Sequence, residues 1–69
     1  MNTQKPLVSV VMCNYNTKEE YLRSAIESIL RQTYEHFEFI IVDDASTGND
    51  VKVIQSYRDP RIILLQNER

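Results

Sequence analysis

Apolar residues fall along this chain in two alternating kinds of pattern. Leu7-Val8-Ser9-Val10-Val11-Met12 is short and almost continuously apolar, and so are Phe37-Glu38-Phe39-Ile40-Ile41-Val42 and Ile62-Ile63-Leu64-Leu65. Runs of this length and composition suit strands of a parallel sheet covered on both faces. Pro6 introduces the first of them. Between the first two, Leu22, Ala25, Ile26, Ile29 and Leu30 recur at helical spacing and form one apolar stripe. Thr17-Lys18-Glu19-Glu20 in front of that stripe reads as a capping box, so the first helix is expected from there to about Gln32 or Thr33. Ser46 or Thr47 can cap a second helix with Val51, Ile54 and Tyr57 on its buried side. Asp59-Pro60 is expected to stop it, because proline lacks a donor and restricts the residue before it. The order is β-α-β-α-β, which argues for an α/β parallel sheet with right-handed crossovers. The methionines and most aromatics read as core.

The second strand ends on Asp43-Asp44. Ligands of open parallel sheets bind beyond the carboxyl ends of the strands. Two adjacent carboxylates repel each other, so a pair at that point suggests acceptors for a polar ligand. The alternative is that one of them caps the following helix. Tyr15 lies beyond the neighbouring strand end and offers a flat face for a base or sugar, or else packs as an ordinary turn residue. An ionised aspartate only accepts hydrogen bonds, so it selects donors such as an imide N–H or ribose hydroxyls and repels phosphates.

Composition narrows the chemistry. Gly48 is the only glycine. The turn after strand one, Cys13-Asn14-Tyr15-Asn16-Thr17, lacks the glycines of a dinucleotide fold or a P-loop. A phosphorylation receiver would carry its acidic pair after strand one instead. The formal net charge of -2 and the absence of a basic stripe give no footprint for nucleic acid. No apolar run approaches the roughly 20 residues needed to span a membrane. Residues 1–6 show no signal peptide, and the lone Cys13 suits a reducing compartment. The expected location is the cytoplasm, including its membrane face. Sixty-nine residues make at most one small domain. The chain stops directly after a strand-like run, which is expected of a segment of a longer domain.

Val8 to Asn16, then Tyr21-Leu22, Ala25 to Tyr34, Phe37 to Ser46 and the turn Asp59-Pro60-Arg61-Ile62 together form an ordered set. That set resembles the start of a family 2 glycosyltransferase of the GT-A fold. The resemblance covers essentially everything after residue 6 and implies a partial GT-A domain over residues 1–69. It implies the Rossmann-like N-terminal half-sheet with strand order 3-2-1. Such enzymes move a sugar from a nucleotide diphosphate sugar, often UDP-linked, to a hydroxyl of a glycan or lipid acceptor, here by an inverting displacement.

Carried over residue by residue, the resemblance puts Tyr15 at the base and makes Asp44 an acceptor from base or ribose. Cys13 and Asn14 give nearby backbone or side-chain contacts, and Asp43 supports the turn. A divalent metal, Mn or Mg, is implied for a complete enzyme. The family's Asp-x-Asp metal motif and its catalytic base have no counterpart in these residues, and Asp43-Asp44 is not that motif. The segment alone is expected to be inactive. Ala45 and Gly48 stand where the pattern has a glycine and a further aspartate. The rival reading is a non-catalytic α/β module that uses its half-sheet for protein contacts. Right-handed crossovers in the order 3-2-1 put both helices on one face. The other face and the strand-one edge are then bare, and self-association is expected.

Overall fold

The computed structural model describes residues 7–68. Pro6, expected to introduce the first strand, lies outside the described residues. The elements are β1 (Val8–Asn14), α1 (Glu19–Leu30), β2 (Phe37–Asp44), α2 (Asp50–Gln55) and β3 (Ile62–Asn67). All pairing is parallel, with β2 between β1 and β3. This is the adjacency expected from the order 3-2-1, named from the other edge.

Register sets the two faces of the sheet. Val10 aligns with Phe39 and Ile62, and Met12 with Ile41 and Leu64. These rows face the helices. Phe37, Phe39 and Ile41 are buried against Leu22 and Ile26 of α1 and Val53 and Ile54 of α2. Ile29, Leu30 and Tyr57 complete the layer. Val11 aligns with Ile40 and Ile63, and Cys13 with Val42 and Leu65. These rows form the opposite face, where Val11 is 60% exposed. Both helices therefore cover one side, as right-handed crossovers in a single direction require.

Local structure departs from the sequence pattern at the helix ends. The expected capping box does not form. Lys18 occupies the N-cap with no side-chain hydrogen bond, and the Thr17 amide is drawn to Asp50 instead. The α1 helix ends at Leu30, earlier than expected. Its last turn is tightened there, with the Gln32 amide donating to the Ile29 carbonyl. Neither Ser46 nor Thr47 caps α2, which starts at Asp50 behind Asn49. Both hydroxyls are used elsewhere, on Asp43 and Asn16. The α2 helix closes at Gln55, before Asp59-Pro60 is reached. Its buried side includes Val53, which the pattern did not select. Tyr21 and Tyr15 stand outside the core, while Phe37 and Phe39 lie within it.

Candidate functional site

The carboxyl ends of β1 and β2 are adjacent, with Asn14 opposite Asp43 in register. Tyr15 and Asp44 follow, one from each strand. Tyr15 is 55% exposed and Asp44 is half-buried. The described residues enclose no cavity, so these side chains border an open ledge.

Beneath the ledge lies a buried polar cluster. Asn14, Asp43 and Asp50 are 5%, 2% and 3% exposed. Asn14 Nδ2 donates to Asp43 Oδ1 at 3.0 Å and to Asp50 Oδ2 at 2.9 Å, so one amide nitrogen bridges two carboxylates. The Thr17 amide donates to the same Asp50 oxygen at 2.8 Å. Asp43 also accepts from the Ser46 amide at 3.0 Å and the Ser46 hydroxyl at 2.7 Å. The two turns are further laced by the Asn16 amide on Ser46 Oγ at 2.9 Å and the Thr47 amide on Asn16 Oδ1 at 2.8 Å. Among the described residues no buried side-chain polar atom lacks a partner. This matters because a buried polar group without a partner costs about 1–3 kcal/mol.

Burial alone pushes the Asp43 carboxyl up. The hydrogen bonds from Ser46 Oγ, Asn14 Nδ2 and the Ser46 amide outweigh it, and they hold the group below the usual carboxylate range. Asp43 is thus an ionised anchor of the turn.

Two non-glycine residues here have positive φ: Asn16 at 44° and Ala45 at 60°. Asparagine tolerates the left-handed region, whereas alanine meets its Cβ clash in full. Ala45 stays there because Asp43 and Ser46 on either side of it are joined. Gly48 leaves room for Asp50, since a Cβ at position 48 would lie 3.3 Å from Asp50 Oδ1.

Among the nucleotide-contact residues expected from the sequence, Tyr15 and Asp44 border the ledge. The Cys13 side chain is exposed in a row of the helix-free face. Those of Asn14 and Asp43 are turned to the cluster below, and neither Asp43 nor Asp44 is the α2 cap. Sequence reasoning missed Asp50, Ser46 and Asn16. A signal was present: an asparagine packed at a strand end needs acceptors for its two N–H groups, and Asp50 stands just before the apolar Val51. Gly48 occupies the family's aspartate position, and Asp50 brings a carboxylate two residues later.

The metal implied by the resemblance finds no ligand set here. Among the described residues no three acidic, histidine or cysteine side chains converge. Both Asp43 oxygens are already engaged by Asn14 and Ser46.

Residues 9–69 match Glycosyl transferase family 2. A glycosyltransferase of Methanocaldococcus jannaschii, named as uncharacterized, is 50% identical over 94% of this chain and 23% of its own length. Another, from Haemophilus influenzae, is 42% identical over 91% of this chain and 20% of its own. The Escherichia coli UDP-Glc:alpha-D-GlcNAc-diphosphoundecaprenol beta-1,3-glucosyltransferase is 41% identical over 88% of this chain and 24% of its own. The chain spans about a quarter of the length of the curated relatives it matches. The parallel half-sheet, the acidic strand end and the match over nearly the whole chain agree: this chain belongs to glycosyl transferase family 2.

Proposed function

We propose that this chain is the nucleoside-recognising part of an enzyme that transfers a sugar from a nucleotide diphosphate sugar, most simply a UDP-sugar, to an acceptor hydroxyl. The observation that carries the reading is the Tyr15–Asp44 ledge on adjacent carboxyl ends, backed by a fully hydrogen-bonded polar cluster. Tyr15 supplies a stacking face. Asp44 supplies an acceptor for the base N–H or the ribose hydroxyls. The anionic turn beneath is unsuited to phosphates, so the diphosphate extends away from it. A divalent metal that neutralises it belongs to the same proposal, with ligands outside this cluster.

The E. coli relative's name specifies a UDP-sugar donor and a lipid-linked acceptor. That supports both features here; a cytoplasmic membrane face as the place of work is part of the same proposal. No helix among the described residues is long and apolar enough to cross a membrane. Family membership favours this reading over a non-catalytic interaction module.

The test is UDP affinity read from a chemical-shift titration in wild type and Asp44→Ala. Leaving a bound donor unpaired costs about 1–3 kcal/mol, or roughly 5- to 150-fold in affinity. Unchanged affinity in a folded Asp44→Ala protein would remove Asp44 from the site.

A further inference from the structure

We infer that Asp50, which cannot touch a ligand itself, is a positioning residue for the ledge. Its buried carboxylate ties the β1–α1 turn to the β2–α2 turn and so fixes Tyr15 relative to Asp44. The inference rests on the nucleoside reading given above.

The geometry is specific. One oxygen, Asp50 Oδ2, accepts from Asn14 Nδ2 and from the Thr17 amide. Residues 14 and 17 are the two ends of the segment that carries Tyr15 and Asn16. A single atom therefore anchors both ends of the turn that presents the aromatic ring. The middle of the turn is held by Asn16 on Ser46 and Thr47. Ser46 is joined in turn to Asp43, so Asp44 and Ala45 are bracketed as well. Asp50 is 3% exposed and lies below the ledge, so its influence passes through these bonds. It comes from α2, whereas Tyr15 follows β1 and Asp44 ends β2. The carboxylate joins α2 to β1 directly, and β2 is linked through the bridge from Asn14 to Asp43. The relative placement of two recognition groups from different strands depends on such a link. Losing the support of a metal ligand typically costs about 10- to 100-fold in affinity or activity, and a loss of the same order is expected here.

The experiment is a UDP titration of the isotope-labelled chain followed by NMR, in wild type, Asp50→Ala and Asp50→Asn. Asp50→Ala should bind UDP about 10- to 100-fold more weakly. Core amides such as Phe39 and Ile41 should keep their shifts. Asp50→Asn keeps an oxygen that can take both donors and should recover most of the affinity. That rescue separates positioning from a requirement for charge. Wild-type affinity in Asp50→Ala, or equal loss in both variants, would overturn the assignment.

If wild type itself shows no UDP binding, the nucleoside reading fails. The clasp is then decided by amide exchange: Asn16 and Thr47 should exchange faster in Asp50→Ala than in wild type or Asp50→Asn, and unchanged exchange would overturn it. If Asp50→Ala does not fold, Gly48→Ala takes its place. A Cβ there crowds Asp50 Oδ1 at 3.3 Å without removing any bond. Weaker UDP binding, or faster Asn16 and Thr47 exchange, supports the positioning role; wild-type values of both would refute it.

Discussion

Replacing Asn14 by alanine tests whether the polar cluster holds the fold together. The substitution deletes two hydrogen bonds, to Asp43 at 3.0 Å and to Asp50 at 2.9 Å. Bonds to charged partners are worth about 1.5–3 kcal/mol each. Both carboxylates keep other donors, Ser46 for Asp43 and Thr17 for Asp50, so neither is left bare. The lower end of the range therefore applies, and the expected loss is about 3 kcal/mol. A domain of this length has a total stability of roughly 3–10 kcal/mol, so the loss is a third of it or more. With a urea slope near 1 kcal/mol/M, the unfolding midpoint should fall by about 3 M. At the low end of that stability range the variant would lack a cooperative transition altogether. Urea unfolding followed by circular dichroism reads the shift directly. A midpoint within about 0.5 M of wild type, on the same slope, would show that the cluster contributes little and that the apolar layer alone sets stability.

Acid should act on the same cluster. The folded Asp43 carboxyl titrates below its unfolded value near 3.9, so its contribution is present above about pH 4 and is lost as pH falls through the folded value. Asp59, held down first by its hydrogen bond from Arg61, adds to the same trend. Urea midpoints measured downward from about pH 5 should fall more gently in Asp43→Asn than in wild type, and identical slopes would exclude Asp43 as the titrating group. Ala45→Gly should raise stability by roughly 0.5–1 kcal/mol, because relief of the left-handed strain exceeds the added freedom of the unfolded chain; a lowered thermal midpoint would contradict this. The open face carries Val11, Ile63 and Leu65 exposed, and self-association at tens of micromolar is the expected consequence. Sedimentation velocity would refute that by showing a stable monomer, whereas Val11→Lys should shift an associating chain toward the monomer.

The order of elements was readable because each strand is an apolar run and α1 carries a clear stripe. The parallel register and the one-sided placement of the helices follow from that order and from crossover handedness. The placement of Tyr15 just past β1 and of Asp44 at the end of β2 was readable too. The clasp was not. Thr17 and Glu20 spell a cap, yet the Thr17 amide has a stronger acceptor in Asp50, a residue 33 positions away. Ser46 and Thr47 look like caps of α2, but their hydroxyls go to Asp43 and Asn16. Local propensity cannot reveal a competing partner that only the tertiary fold brings near. Asp50 was overlooked for the same reason, since its burial arises only when β1 and α2 are side by side.

On the proposed reading, the carboxyl ends of β1 and β2 form a nucleoside site. A chemical-shift map of the labelled chain on addition of UDP tests it most directly. The ledge is open, so binding in the millimolar range is expected, near -4 kcal/mol. Saturable shifts should concentrate at Cys13 to Asn16 and Asp43 to Ser46, and Tyr15→Ala should abolish them. Shifts confined to other parts of the chain, or none at millimolar UDP, would contradict the account.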